Sequence, residues 1–441
     1  METTYKIIQK GSNPTSKKSI SIQVTGDCNL ACTYCYQTHK NTMMVDINKA
    51  KKFIDKIVEN DQSFWNGYIN FEENKNGVIL DFVGGEPLLN YKAVIELCDY
   101  FKQSCINHGK KWMYCNSYMN ISTNGTIINK EITDLLNRHK GKITVSITVD
   151  GNKKLHDSCR RFKGSNNPSY DIVVKNLNEY RKYCNVISTK VTIAPENLDY
   201  IAETAQNMWE NLGFTYIASN CVYEDVWCKE DAKKLYWQLK KVADYLLEHR
   251  TPENDLYYGF FRDVLFHPEK DFCNSWCGGN GKMLFMQYDG LLFNCIRYSD
   301  TTTGKNGSLS IGNVEDGVVN TENVCLLKSI TRDKYYDDQC RNCPVSKGCS
   351  DCIAYMYEVN GNFDTKIKSI CDMHKARSLA NVYYWNKYYI KNNIPQVFLM
   401  WLPTIEALGY IDPKEIDMLY KLSNGRYLDS LTTTNGELIN D

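Results

Sequence analysis

The sequence lacks net charge: across 441 residues, 52 basic and 52 acidic side chains cancel. That balance excludes the electrostatic footprint of a nucleic-acid or anionic-membrane binder. Long apolar runs are missing too, none approaching the roughly 20 residues that span a bilayer. Met1 to Ser19 is polar and carries no apolar segment of a secretory signal. Internal repeats and low-complexity tracts are also absent. These absences predict a cytoplasmic protein with no nucleic-acid or membrane partner.

Cysteine, by contrast, is plentiful. There are 19 of them in a chain that is 43% hydrophobic and 24% charged, the balance of a globular protein. A chain of this length needs no disulfide staples and lacks an export signal, so clustered cysteines read as metal ligands. The length exceeds one ordinary core and predicts two domains, or a large barrel with an appendage.

Strand signals fall at Ile20, Ile22 and Val24, then at Val78–Val83, Tyr118–Ser122, Ile143–Val149, Ile187–Ile193 and Tyr216–Ser219. Helical patterns lie between them, near Ile47–Glu59, Tyr91–Asn107, Lys130–Arg138, Tyr170–Tyr183 and Tyr200–Leu212. Strict alternation of strand and helix predicts an α/β protein with a parallel sheet. Six such units, rather than eight, predict an incomplete (β/α)6 TIM-like barrel. Polar or glycine-bearing turns follow several strands: Gly84-Gly85-Glu86-Pro87, Thr123-Asn124-Gly125, Asp150-Gly151 and Pro195-Glu196-Asn197. In barrels that edge carries the chemistry. A helix near Lys229–Glu248 leads into a stretch richer in Cys, Gly, Asn and Asp. From Cys273 to Cys371 the pattern predicts a small, loop-rich domain held by metal rather than by an apolar core. An aromatic helix follows at Ala376–Tyr389, whose Tyr383-Tyr384-Trp385 stripe reads as core or barrel cap. The expected divisions are an N-terminal segment 1–18, barrel 19–228, helical linker 229–272, Cys-rich domain 273–376 and C-terminal helical extension 377–441.

Cys28-x3-Cys32-x2-Cys35 sits at the end of the first strand, with Tyr34 just before the last cysteine. Three cysteines in one short loop can ligate three irons of a cubane and leave the fourth open. A zinc ion would want a fourth ligand, which His39 can supply. This motif resembles the radical SAM superfamily, and so does Gly84-Gly85-Glu86-Pro87, similar to the family's turn that binds the methionyl amino group of S-adenosylmethionine. Glycine lets backbone approach a ligand, and Glu86 offers an acceptor to an ammonium. The resemblance also implies cofactor contacts at Tyr34, Ser122, Asn124 and Thr148, and at Arg160, whose fork suits a carboxylate. Arg161 is the neighbouring alternative.

The second half resembles a SPASM domain, the auxiliary-cluster module of peptide-modifying relatives. Cys277, Gly290 and Cys295 match its opening, and Cys340, Cys343, Cys349, Cys352 and Cys371 its remainder. The resemblance implies one [4Fe–4S] cluster on Cys273, Cys277, Cys295 and Cys352, and another on Cys340, Cys343, Cys349 and Cys371. Some relatives leave the Cys273 position open, and two zinc-ribbon-like sites are the rival reading. With the first loop this makes three [4Fe–4S] clusters. The remaining Cys98, Cys105, Cys115, Cys159, Cys184, Cys221, Cys228 and Cys325 read as buried small hydrophobes. Cys221, ending the sixth strand, is the one that can face the barrel interior.

Within the superfamily the chain resembles the maturases of peptides carrying Cys-x-x-x repeats, through Ser219 to Trp227, Cys277-Gly278, Gly281 to Leu284, Cys295-Ile296-Arg297 and Cys371 to Arg377. This implies a small precursor peptide as substrate and Cys thioether crosslinks as product, with a reducing partner such as flavodoxin or ferredoxin. Another radical peptide modification, a C–C crosslink or an epimerisation, is the alternative within this reading. Anaerobic sulfatase maturases share both domains but place an aspartate where this chain has Ile296. A non-catalytic iron–sulfur or zinc module would leave the Gly-Gly-Glu-Pro turn unexplained. The first strand starts near residue 19, which leaves no room for a leader-binding winged helix and suggests a separate leader-binding protein or the C-terminal extension in that role.

Overall fold

A computed structural model describes residues 17–184, 187–224, 226–261, 278–280, 283–302, 306–335, 337–343, 345, 349, 351–395, 397–398, 400–401, 411–423 and 427–428. Cys273 and Cys277 lie outside the described residues, as does most of the connection before them.

Six parallel strands form the centre: β1 (Lys18–Thr25), β2 (Val78–Gly84), β3 (Tyr118–Thr123), β4 (Ile143–Thr148), β5 (Ile187–Ile193) and β6 (Tyr216–Cys221). Each strand after β1 follows a helix of the expected span: α1 (Ile47–Glu59), α2 (Tyr91–Asn107), α3 (Lys130–Arg138), α4 (Tyr170–Tyr183) and α5 (Ile201–Glu210). Local signals set these bounds. In α1 the Asp46 carboxylate accepts from Asn48 N and Lys49 N, and Asn60 ends the helix in the left-handed region. Ala50, Phe53, Ile54, Ile57 and Val58 then form its buried stripe.

Along β2 to β4 the side chains alternate. Val78, Leu80 and Phe82 pack outward against helices, as do Ile121, Val145 and Ile147. Opposite them, Asp81, Asn120, Ser122 and Ser146 face the inside.

The sheet runs further than the six strands expected. The short β7 (Tyr257–Tyr258) adds to β6. On the other side β8 (Met283–Met286) pairs in parallel with β1, followed by antiparallel β9 (Leu291–Phe293) and β10 (Gly312–Asn313). Among the described residues the two sheet edges do not pair, so the barrel stays open. This corrects the expectation that the Cys-rich half has no apolar core. Leu284, Phe285, Met286, Leu292, Phe293, Tyr298 and Leu327 are all buried, and their cluster is continuous with that of the barrel. Runs of three or four residues are too short for periodicity to reveal.

Two long helices, α6 (Lys229–His249) and α7 (Cys371–Lys391), pack against one another. Tyr383, Tyr384 and Trp385 are buried, as expected of core. Three of the cysteines expected to be buried, Cys115, Cys228 and Cys325, are exposed instead. Cys221 shares its side of β6 with Ser219 and Ile217, two and four residues back. It lines a small cavity with Phe260, His374 and Arg377, outside the lumen. None of the helices among the described residues is long and apolar enough to cross a membrane.

Candidate active site

The cysteine loop leaves β1 and is fastened on two sides. Towards the segment after β4, Ala31 N donates to Arg161 O (2.9 Å), Thr33 N to Cys159 O (3.1 Å) and Lys163 N to Asn29 O (2.8 Å). Towards β2, Gly85 N donates to Thr25 O (3.1 Å) and Glu86 N to Asp27 O (2.7 Å). A Cβ on Gly85 would stand 2.1 Å from Asp27 O and 2.9 Å from Cys28 Cβ; one on Gly84, 2.6 Å from Thr25 O. Glycine is thus required here by the approach of the cysteine loop itself, where the sequence reading had invoked a ligand.

Glu86 is sealed in. One carboxylate oxygen accepts from Thr123 Oγ1 (2.7 Å) and Leu88 N (3.0 Å), the other from Asn124 N (2.6 Å). Burial raises its pKa above the usual carboxylate range, against those three donors. Asn124 passes the connection on, donating from Nδ2 to Asn29 Oδ1 (2.8 Å) and, at 3.9 Å, to Cys28 Sγ. Both residues therefore tie the β2 and β3 turns to the cysteine loop.

The two arginine candidates separate. Arg161 donates to Asn166 O (3.1 Å) in its own turn. Arg160 is buried, donates to Tyr34 Oη (2.9 Å) and lies 3.9 Å from Asp150 Oδ2, to which Tyr34 also donates. Arg160 Nε and Asp150 Oδ1 have no protein partner although buried. Unmatched polar atoms at such depth fit a polar ligand. Asp150 was legible in the sequence only as a turn residue after β4.

Cys28 is buried, and Cys32 and Cys35 are half-buried. Burial pushes the Cys32 thiol up to about 11 even though Arg160 pulls it down. Buried thiols become the ligating thiolates only beside strong positive charge, so the donor set fits a metal cluster. The adjoining lumen is polar. Asp81 accepts from Asn120 (2.6 Å) and Ser122 (2.9 Å), and Ser146 joins Asn120 (3.1 Å) to Ser188 (2.8 Å). Burial pushes Asp81 up to about 6, against its two donors. Thr148 is half-buried at the end of β4. A barrel filled for stability alone would carry branched apolar layers here.

Six described cysteines of the second half fall into two groups. Cys340, Cys343, Cys349 and Cys371 line one cavity of about 220 Å³, with Lys366 and His374. Burial pushes Cys340 and Cys349 up to about 12. Cys295 and Cys352 stand near each other and near Arg297, which donates to Cys352 Sγ at 3.9 Å. The guanidinium of Arg297 lies 5.2 Å from the Tyr36 ring and 4.8 Å from that of Tyr355, and pairs with Glu224. Through Tyr36, the residue after Cys35, it joins the first cysteine loop to the Cys295–Cys352 group.

Residues 22–208 match the sequence model of the family described as Radical SAM superfamily. The chain is 22% identical over 379 residues to the radical SAM cyclopropyl synthase TigE of Paramaledivibacter caminithermalis, covering 81% of this chain and 72% of that protein. Over 381 residues it is 24% identical to AlbA, the antilisterial bacteriocin subtilosin biosynthesis protein of Bacillus subtilis, covering 82% and 72%. Its fold matches the structure of anSMEcpe with bound AdoMet and Cp18Cys peptide, with TM-score 0.64 and 18% identity over 85% of this chain and 99% of that one. With the fastened three-cysteine loop and the polar open barrel, these matches show that residues 22–208 form a radical SAM domain, a family that implies a [4Fe–4S] cluster and S-adenosylmethionine.

Proposed function

We propose that this enzyme installs a thioether crosslink in a ribosomally made precursor peptide, in a reducing cytoplasm. The observation that carries the reading is one chain holding both the fastened Cys28/Cys32/Cys35 loop and the two further cysteine groups. TigE is named as a cyclopropyl synthase and AlbA for bacteriocin biosynthesis, and anSMEcpe carries a peptide in its structure. These similarities support a peptide substrate.

Cys28, Cys32 and Cys35 would hold the first cluster. Cys340, Cys343, Cys349 and Cys371 would hold a second, and Cys295 and Cys352, with Cys273 and Cys277, a third. Bound there, these groups supply the electron that cleaves S-adenosylmethionine to a 5′-deoxyadenosyl radical and a sink for the electron that crosslinking releases. The chain's own residues bind and orient. Arg160 offers its fork to the methionyl carboxylate, with Tyr34 and Asp150 fixing its plane. Ser122, Asn124 and Thr148, at the ends of β3 and β4, would add further contacts to the cofactor. The polar lumen admits a peptide, and the surrounding apolar shell limits water. A one-electron donor such as flavodoxin or ferredoxin and a separate leader-binding protein complete the expected partners.

Forming one C–S bond at the expense of a C–H and an S–H bond removes two hydrogens, about 2 Da per crosslink. Mass spectrometry of the precursor peptide co-expressed with the enzyme should show that loss, and Cys→Ala changes in the peptide should prevent it. The cyclopropyl chemistry named for TigE makes a C–C bond the second reading. A mass loss that persists without peptide cysteines would establish it in place of the thioether.

A further inference from the structure

Lys366 occupies a place where lysine is rarely found. Its side chain is 5% exposed, its ammonium lies 3.5 Å from the carboxylate of Asp351, itself 6% exposed, and it donates to Cys349 Sγ at 3.7 Å. A buried ion pair adds little to stability compared with apolar residues of the same size. What it does provide is a fixed, poorly screened charge beside the cavity of Cys340, Cys343, Cys349 and Cys371. The other charges around that cavity differ. Lys368 pairs with Asp337 (2.7 Å) and Lys375 with Asp372 (3.2 Å), all of them substantially exposed and therefore screened. His374 lines the same cavity, one helical turn after Cys371.

We propose that Lys366, oriented by Asp351, sets the reduction potential of the iron–sulfur centre on Cys340, Cys343, Cys349 and Cys371. This rests on the ligand set proposed above. Potentials of such centres follow net charge and hydrogen bonds to sulfur. An ammonium donating to one ligand sulfur stabilises the more negative, reduced form and raises the potential. The centre is thereby poised to accept the single electron that crosslinking releases, and to pass it to an oxidised one-electron carrier protein. Asp351 acts with the opposite sign and also orients the ammonium, a contact that the amide oxygen of an asparagine at this position can keep while the negative charge is lost.

The test is an anaerobic redox titration of the reconstituted full-length enzyme, followed by electron paramagnetic resonance. The relevant signal is the one lost in Cys371→Ala. Lys366→Met should shift its midpoint to lower potential by at least a tenfold change in the reduction equilibrium, 59 mV for one electron. Asp351→Asn should shift it upward, and Lys366→Arg, which keeps the charge, should stay near the parent value. An unchanged midpoint in Lys366→Met at full iron content overturns the role of Lys366. Shifts in the same direction for Lys366→Met and Asp351→Asn overturn it too, because they signal general disruption rather than charge. If no signal disappears in Cys371→Ala, the ligand set itself fails and this inference falls with it.

Discussion

At the scale of single residues, the site depends on contacts that hold the cysteine loop rather than on the cysteines alone. Gly85 has no room for a methyl group, since Asp27 O and Cys28 Cβ already occupy that space. Gly85→Ala must therefore push the loop away from the β2 turn. Anaerobic assays of this variant should show loss of 5′-deoxyadenosine formation and about four fewer irons per chain. His156 tests a different property. It is fully buried between Asp150 N (3.4 Å) and Ser169 Oγ (3.0 Å), and burial, helped by Arg160, lowers it from 6.5 to about 3. Between those values the unfolded chain binds a proton that the folded chain refuses, so stability falls as pH drops through this window. From pH 7 to 5 this one group should cost about 2 kcal/mol, at roughly 1.4 kcal/mol per pH unit. Denaturant midpoints at the two pH values should lie closer together in His156→Gln than in the parent.

At the scale of elements, the pairing of β8 with β1 makes the two halves one cooperative structure. Leu284 sits beside Ile20 in that ladder, and both are buried. Leu284→Ala should cost about 2–5 kcal/mol, the range for deleting a core leucine side chain. Because the strand belongs to the barrel sheet, the variant should still unfold in a single transition, shifted as a whole. Circular dichroism and tryptophan fluorescence would check this. Two separate transitions, only one of them moved, would mean that the halves unfold independently.

At the scale of the whole molecule, the three cysteine groups predict about 12 irons per chain, four for each cluster. Cys28→Ala should lower that to about eight and abolish 5′-deoxyadenosine formation, leaving the auxiliary centres in place. Iron analysis beside the cleavage assay distinguishes this from zinc at the second-half sites, where iron would stay near four in the parent protein. What the sequence determined by itself is the barrel and its chemistry. Apolar alternation and capping residues such as Asp46 act within a few positions, so strands and helices fell where period and punctuation placed them. Cys28, Cys32 and Cys35 were legible for the same reason, lying within eight residues of one another. Only the tertiary structure decided the rest. It buried Arg160 beside Asp150 and Tyr34 while leaving Arg161 in its own turn, and set Lys366 against Cys349 from 17 positions away. It also sent β8 to β1 across more than 250 residues. Such contacts depend on how separate elements pack and on which side of a strand a residue faces, and no local pattern records either.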